Sequence, residues 1–288
     1  MTHRSAGFIG LGAMGLPMAR HLHAHGLLAA VGNRSAAKAQ ALAAELGVAA
    51  PGTLAQLAAQ CTRIAMCVTA DADVLGCVAA LRPGLRKDAI VIDHSTVAPE
   101  TAQRAAALLA EVGAHFLDAP VSGGVEGARN GKLSVMVGGD EAMLERARPL
   151  LECYAARITW MGSSGSGQAT KAVNQVLVAG IAAAVCEGLA LGAALGLAPE
   201  RLLPTLAAGA AGNWFLDRRG ASMLRGEFDV GFKLALLHKD LGIVQRIARG
   251  AGCDHSVIDK ALVDYARLMA QGHGDEDISA LIRLKHAR

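Results

Sequence analysis

The feature that most constrains the fold of this chain is a run of glycines near its start. The apolar segment Gly7-Phe8-Ile9 leads into Gly10-Leu11-Gly12-Ala13-Met14-Gly15 and then into a helical pattern. A strand that passes through Gly-x-Gly-x-x-Gly into a helix is the fingerprint of a dinucleotide-binding unit. Gly10 would allow the tight turn, Gly12 would let a pyrophosphate approach the backbone, and Gly15 would let the helix pack on the strand. The alternative is an ordinary tight turn, which the flanking strand and helix disfavour.

The residues after the second predicted strand bear on the kind of dinucleotide. Where NAD-binding folds usually place an Asp or Glu for the ribose 2′-hydroxyl, this chain has Asn33-Arg34-Ser35. An acidic side chain would repel a 2′-phosphate, whereas a guanidinium beside a hydroxyl can bind it through charge-assisted hydrogen bonds. The alternative is that Arg34 is a solvated loop residue and that Ser35 caps the next helix. The sequence therefore favours NADP over NAD.

Apolar runs and helical patterns alternate through the first half of the chain. Strands are predicted at 7–11, 28–32, 47–50, 63–68, 89–93, 114–118, 133–138 and 157–161. Such alternation is typical of βαβ units in a doubly wound sheet. From Gly165 onward the pattern is helical throughout. The sequence predicts an α/β protein with a Rossmann-type domain over 1–164 and an all-α domain over 165–288, joined by a long helix.

Composition and charge exclude several functional classes. Aromatic residues make up 3% of the 288 residues, and the net charge of +3 includes no basic run, so no nucleic-acid partner is expected. The six cysteines form no Cys-x-x-Cys pair and no set of ligands completes a metal shell, so no metal site is expected. The first strand starts too early to leave room for a signal peptide, and the protein is expected in the cytoplasm.

A long apolar stretch begins near Lys171 and ends near Gly196. Asn174, Gln175 and Glu187 interrupt it, and a membrane-spanning helix needs about 20 apolar residues in succession. No membrane partner is therefore expected, and the stretch is predicted to be a helix buried on nearly all sides. Such a helix belongs in a large core or in an interface between two chains, so a homodimer or homotetramer is expected.

Lys171 is oddly placed for a solubilising lysine, because a cation near a helix N-terminus opposes the helix dipole. Reduction of an aldehyde by hydride places negative charge on the carbonyl oxygen, which an ammonium can stabilise and protonate. Asn174 and Gln175 follow three and four positions later, on the same helical face. These residues predict an acid/base lysine with two amides beside it.

Two polar stretches follow predicted strands. They are Asp93-His94-Ser95-Thr96 and Asp118-Ala119-Pro120-Val121-Ser122-Gly123-Gly124. Ligands bind at the carboxyl ends of strands in open α/β sheets, and hydroxyls with adjacent glycine N–H groups suit a small carboxylate. The alternative is that Ser95 or Thr96 caps the helix starting near Pro99 and that the glycines only turn the chain.

Together with Gly167-x-x-x-Lys171-x-x-Asn174-Gln175 and Phe232-x-x-x-x-x-His238-Lys239-Asp240-Leu241, these segments have the order and spacing of the β-hydroxyacid dehydrogenases. The chain resembles that family from about residue 6 to about residue 245. The family includes 3-hydroxyisobutyrate dehydrogenase, 2-hydroxy-3-oxopropionate reductase and the glyoxylate and succinic semialdehyde reductases.

The resemblance implies roles for individual residues. The implied catalytic residues are Lys171, Asn174 and Gln175. The implied substrate-binding residues are Ser122, Gly123, Gly124, Thr96, Phe232 and Asp240. The implied cofactor-binding residues are Gly10, Gly12, Met14, Gly15, Asn33, Arg34, Ser35, Thr96 and Lys239. Gln175 stands where several relatives have a second asparagine, and Lys239 beside Asp240 is alternatively a surface ion pair.

The predicted activity is reversible, NADPH-dependent reduction of a small carboxylate-bearing aldehyde, a semialdehyde or a 2-oxo acid, to the hydroxy acid. One alternative is an NADP-dependent imine reductase of the same architecture, which commonly has another residue at the Lys171 position. The other is a non-catalytic binding module that keeps the dinucleotide fold. Candidate substrates differ by as little as one methylene, which is worth only about 1–3 kcal/mol, so the sequence leaves the substrate open.

Overall fold

Buried apolar strands build one sheet in the first half of the chain. In the computed structural model, which describes residues 5–229 and 231–285, the strands are β1 (Ala6–Ile9), β2 (Leu28–Gly32), β3 (Arg63–Met66), β4 (Ile90–Asp93), β5 (His115–Asp118), β6 (Val121–Ser122), β7 (Leu133–Gly138) and β8 (Ala155–Gly162). Their order is β2-β1-β3-β4-β5-β7-β6, and β8 pairs with β7. Strands β1 to β5 are parallel and almost wholly buried, so their sequences are nearly continuous apolar runs.

Helices cover both faces of this sheet. They are α1 (Gly15–Ala24), α2 (Ala36–Leu46), α3 (Leu54–Gln60), α4 (Asp71–Leu81), α5 (Pro99–Ala110), α6 (Gly124–Arg129) and α7 (Glu141–Leu151). Alternate residues of a strand point to opposite faces, and accordingly Phe8 and Ile92 lie in one apolar core while Ile9 and Val91 lie in another. The doubly wound Rossmann-type architecture predicted from the sequence is confirmed.

Two details of the sheet differ from the prediction. The strand expected at 47–50 is not formed, because Gly47 (φ 62°) ends α2 in the left-handed conformation and only Ala49 makes a bridge, to Ala30. The two-residue strand β6 was not predicted, since two residues are too few for a periodic pattern. Strand β7 runs antiparallel to β5 and β6, so the sheet is mixed at this end.

The second half of the described chain is helical, as predicted. Its helices are the greater part of α8 (Ser166–Ala194), then α9 (Pro199–Ala207), α10 (Trp214–Leu224), α11 (Leu234–Gly250) and α12 (Ser256–Ala270), followed by a 3₁₀ segment, Ile278–Leu284. Leu237, Leu241 and Tyr265 are fully buried in the core of this half. Asn213 starts α10 by accepting the N–H of Leu216 at 2.9 Å.

The chain divides into two units, residues 1–171 and 172–288. Helix α8 begins in the first unit and continues through the second. The predicted domain boundary at 164/165 lies a few residues earlier, just before this helix. The first unit has two apolar cores, one on each face of its sheet, and the second unit has one.

Among the described residues of this single chain, helix α8 is not buried on nearly all sides, so it does not lie wholly inside a core of its own chain. Val173, Leu177 and Leu191 are each at least 60% exposed, and Leu195, just beyond the helix, continues the same apolar face. Within the described residues, α8 alone is long and apolar enough to span a bilayer by length and composition. The described residues therefore leave an apolar face of α8 exposed, and contiguous exposed apolar surface is typical of an interaction site.

Candidate active site

The glycine loop between β1 and α1 is sterically specific. A Cβ at Gly10 (φ +91°) would lie 2.2 Å from the Cys67 carbonyl oxygen, and one at Gly15 would lie 1.9 Å from the Gly10 carbonyl oxygen. Both positions therefore require glycine. A Cβ at Gly12 would meet no atom within 4 Å, so the space beside it is open. With Met14 at the N-cap position of α1, the loop fits a pyrophosphate held at a helix N-terminus.

Asn33 fastens the glycine loop to the loop after β2. Its Oδ1 accepts the N–H of Leu11 at 3.0 Å, and its Nδ2 donates to the carbonyl oxygen of Ser35 at 3.2 Å. The amide thus holds the two loops that would surround the adenosine half of a dinucleotide. The role found here is structural, and it explains why an amide stands where an acid would be expected in an NAD-binding fold.

The end of that loop presents two cations and a hydroxyl. The Arg34 side chain is 91% exposed, with Asp73 as an ion-pair partner at 3.9 Å. Ser35 occupies the N-cap position of α2, but its hydroxyl makes no capping hydrogen bond, so the capping alternative is wrong. Lys38, which the sequence analysis overlooked, is exposed in the first turn of α2. Together these groups form a cationic, hydroxyl-bearing surface suited to a phosphate.

Two hydrogen bonds of Ser95 hold the loop after β4 in place. The Ser95 hydroxyl accepts the N–H of Val68 at 2.9 Å, and the Ser95 N–H donates to the Asp93 carboxylate at 2.9 Å. Ser95 is therefore not a helix cap, and neither is Thr96, because Ala98 stands at the N-cap of α5. Thr96 is half-buried, while its neighbours Ser95 and Val97 are buried.

A buried histidine connects this loop with the loop after β5. His94 Nδ1 lies 2.7 Å from the Ala119 carbonyl oxygen, and Nε2 lies 2.8 Å from the Tyr154 hydroxyl. Burial lowers the pKa of His94 to about 4, so the ring is neutral at pH 7. Since a carbonyl oxygen can only accept, Nδ1–H donates to Ala119 and Nε2 accepts from Tyr154. No local pattern in the sequence indicates this role, because Tyr154 lies 60 positions from His94 along the chain.

Lys171 lies against the loop after β5, within the first unit. Its side chain is buried, with 7% of the residue exposed, and Nζ donates to the Val121 carbonyl oxygen at 2.9 Å. Ser122 follows directly, and then come Gly123 (φ +129°) and Gly124 (φ +61°), conformations that favour glycine. The structure therefore brings together the lysine and the loop predicted to bind a carboxylate.

Asp118 holds the N-terminus of α8, the helix that carries Lys171. Its carboxylate accepts the N–H groups of Gly165 at 2.8 Å and Gln168 at 3.0 Å. Burial raises the pKa of Asp118, and the backbone donors act in the opposite direction. A Cβ at Gly167 would lie 2.5 Å from the Met136 carbonyl oxygen, so glycine lets the helix approach the sheet this closely. The glycine in Gly167-x-x-x-Lys171 is the sequence signal for this contact.

The predicted residues of the second unit form a chain of polar contacts. Asn174 Nδ2 donates to Gln175 Oε1 at 2.8 Å, and Gln175 Nε2 donates to Asp240 Oδ2 at 2.7 Å. Lys239 Nζ lies 3.0 Å from the other Asp240 oxygen. Gln175 and Asp240 are buried, so the ion pair with Lys239 is not a surface pair. The amide of Gln175 is engaged by Asn174 and Asp240, and it orients Asn174.

Phe232 lies just before α11, and it is partly buried against the apolar core of the second unit. Its N–H donates to Asp277 Oδ2 at 2.9 Å, and Arg219 Nε lies 3.3 Å from the other oxygen of this buried carboxylate. The position of Phe232 therefore depends on Asp277, which the sequence analysis did not identify. Across residues 5–229 and 231–285, no group of three or more His, Cys, Asp or Glu side chains could hold a metal ion.

Comparison with known proteins identifies the two parts of the chain. Residues 5–162 match the NAD-binding domain of 6-phosphogluconate dehydrogenase. Residues 165–285 match the family described as NAD-binding of NADP-dependent 3-hydroxyisobutyrate dehydrogenase. The 2-hydroxy-3-oxopropionate reductase of Escherichia coli is 35% identical, with 96% of this chain and 95% of that protein covered.

Solved structures agree with these matches. The 3-hydroxyisobutyrate dehydrogenase of Mycobacterium tuberculosis, solved with L-serine, is 32% identical with a TM-score of 0.89, and both chains are covered completely. Psf3, solved with NADP+ and 2-OPP, is 29% identical with a TM-score of 0.87, and 97% of this chain and 99% of that chain are covered. An imine reductase of Bacillus cereus, at 22% identity, is similar in fold alone.

The glycine loop, the lysine helix and the polar loops after β4 and β5 are consistent with these matches along the whole chain. A nicotinamide dinucleotide is the cofactor of such a fold, and the residues that line the glycine loop fit it. This chain is an oxidoreductase that belongs to the β-hydroxyacid dehydrogenase family.

Proposed function

We propose that this protein is an NADPH-dependent reductase that converts a small semialdehyde or 2-oxo acid reversibly to the hydroxy acid, with Lys171 as general acid and base. The observation that carries the proposal is the buried ammonium of Lys171, whose Nζ lies 2.9 Å from the Val121 carbonyl oxygen. That contact places the ammonium at the Ser122-Gly123-Gly124 loop. A substrate carboxylate on the loop would therefore have its carbonyl close to the proton donor.

Each residue of the proposed site has a separate role in the reaction. The bound nicotinamide supplies the hydride. Lys171 holds a proton at Nζ for the carbonyl oxygen, and in the reverse direction its neutral amine accepts the alcohol proton. The Ser122 hydroxyl and the N–H groups of Gly123 and Gly124 bind the carboxylate. In the second unit, Gln175 with Asp240 fixes the orientation of the Asn174 amide through the hydrogen bonds they form.

The preference for NADPH rests on the loop after β2. It has no acidic side chain where a 2′-hydroxyl would be bound, and it presents Arg34, Ser35 and Lys38 to solvent. The description of the matching C-terminal family and the NADP+ found with Psf3 support the same preference. A guanidinium, an ammonium and a hydroxyl can each donate to a phosphate.

The proposed function is tested by steady-state kinetics with both cofactors and a panel of substrates. The panel contains glyoxylate, tartronate semialdehyde, methylmalonate semialdehyde and succinate semialdehyde, and the cyclic imine 2-methyl-1-pyrroline is tested beside these aldehydes. We expect NADPH oxidation with at least one aldehyde. Reduction of the imine alone would identify an imine reductase, and NADPH binding without turnover of any compound would identify a non-catalytic module.

We further propose that a second copy of the chain covers the apolar face of α8 in a homodimer or homotetramer. A charge at Leu177, which is 61% exposed on that face, would be buried unpaired in such an assembly. Leu177→Glu is therefore expected to shift the protein toward the monomer in light scattering after size-exclusion chromatography. The control Val263→Glu, at a similarly exposed site on α12, should leave the mass unchanged. A wild-type protein that is monomeric without detergent would contradict the proposal.

A further inference from the structure

Gln168 holds the loop after β4 on both sides of Thr96. The glutamine is buried, with 1% of its surface exposed, in the first turn of α8. Its Oε1 accepts the N–H of Val97 at 3.2 Å, and its Nε2 donates to the carbonyl oxygen of Ser95 at 2.8 Å. One side-chain amide thus satisfies the backbone groups immediately before and after Thr96, and it holds the backbone on both sides of this residue.

The same turn of helix carries the lysine. The backbone N–H of Gln168 donates to Asp118, which is the last residue of strand β5. Lys171 comes three positions after Gln168, and its Nζ reaches the Val121 carbonyl oxygen. A single helical turn is therefore attached to the loop after β4 through a side chain and to the loop after β5 through its backbone and Lys171.

We propose that Gln168 is a positioning residue, which keeps Thr96 and the Lys171 ammonium at the separation that hydride and proton transfer require. The inference rests on the proposed function, in which Thr96 lies where cofactor and substrate meet. An apolar side chain of similar size would fill the same buried space without a polar group to satisfy. The amide offers a donor and an acceptor on one side chain and so holds both backbone groups around Thr96, which an apolar side chain cannot do.

Gln168→Leu is expected to lower kcat by about 10- to 100-fold, because a displacement near 1 Å at a reacting group can cost about 10²-fold. The dissociation constant for NADPH, measured by the fluorescence of the bound nicotinamide, is expected to change less than threefold. The substrate is the panel compound that the wild-type enzyme reduces with the highest kcat/KM. A kcat within twofold of wild type would overturn the proposal.

Gln168→Glu adds a pH-dependent test that a merely structural role would not reproduce. A protonated carboxyl can donate to the Ser95 carbonyl oxygen and accept from the Val97 N–H, as the amide does. Once ionised, it would repel the Ser95 oxygen. Burial raises the pKa of a carboxyl, so the kcat of the variant relative to wild type should be near one at pH 5.5 and fall about tenfold or more by pH 8. An equal loss at both pH values would contradict the proposal.

Other titratable groups lie close to this turn, and their effects on the pH profile of kcat must be distinguished from the effect of the introduced carboxyl. They are Asp93 and His94 from the β4 end, Asp118 from the β5 end, and Lys171 on the same helix. Each is also present in wild type and in Gln60→Glu, the same substitution at an exposed position at the end of α3, so the pH profiles of these two proteins should coincide. If Lys171→Ala abolishes turnover while both Gln168 variants retain it, this inference fails and the proposed function stands. If Lys171→Ala retains turnover, the proposed function fails first.

Discussion

Lys171→Ala is expected to lower kcat for the best aldehyde by about 10³-fold, within the range of about 10²–10⁴ that a positioned acid/base supplies. The alanine variant lacks the proton at Nζ that the carbonyl oxygen takes up as hydride arrives. The dissociation constant for NADPH should change less than threefold, because the glycine loop and the Asn33-Arg34-Ser35 loop are untouched. The loss would thus be confined to the chemical step.

The measurement is steady-state kinetics beside a fluorescence titration with NADPH. Lys171→Arg keeps the positive charge, but a guanidinium cannot release a proton in the working range, and it should also be strongly impaired. Lys87→Ala, which removes an exposed lysine of the same unit, is the matched control and should match wild type. Turnover like that of wild type in Lys171→Ala would exclude the lysine as the acid and base.

Arg34→Asp is expected to reduce the preference for NADPH over NADH, expressed as the ratio of kcat/KM values, by about 100-fold or more. A hydrogen bond to a charged group is worth about 1.5–3 kcal/mol, and each 1.4 kcal/mol is about tenfold. The aspartate adds repulsion of the 2′-phosphate, and Asp73 already stands 3.9 Å from the present guanidinium. NADH, which has a 2′-hydroxyl at this position, should lose little or gain.

The control for this substitution is Arg104→Asp, an equal change of charge at an exposed position on α5. It should leave the preference ratio within about twofold of wild type, since charges farther apart than a Debye length of about 8 Å are largely screened. The ratio is measured with both cofactors at a single aldehyde concentration below KM. An unchanged ratio in Arg34→Asp would mean that the loop after β2 does not select the cofactor.

Local patterns in the sequence were sufficient for the main elements of the fold. The parallel strands are apolar on both faces, and so β1 to β5 could be located from composition alone. The glycines at 10 and 15 are required by contacts that any strand-turn-helix unit of this type makes, which is why the fingerprint could be recognised without a structure. The segment 47–50 was wrongly predicted because an apolar run cannot reveal that a left-handed glycine ends the preceding helix there.

The residues that support the site could not be predicted from local sequence patterns. Asp118 accepts N–H groups that lie 47 and 50 positions later, at the N-terminus of α8, and the partners of His94 are 25 and 60 positions away. Gln175 was predicted as a catalytic amide beside Lys171, and in the structure its buried amide contacts Asn174 and Asp240, the second of which lies 65 positions away. No local spacing encodes these pairs, because each depends on which strand ends meet a given helical turn.

The sequence by itself determined the doubly wound sheet, the helical second half, the family and the identity of the residues proposed to react. It could do so because strand and helix periodicity, glycine sterics and short motifs are properties of neighbouring residues. The tertiary structure alone decided how Lys171 is held against the Ser122-Gly123-Gly124 loop, and how Asp118 and Gln168 fasten its helix to two strand ends. Hydrogen bonds between residues distant in the chain form only when the sheet brings its carboxyl ends together, and their geometry is a property of the packed molecule.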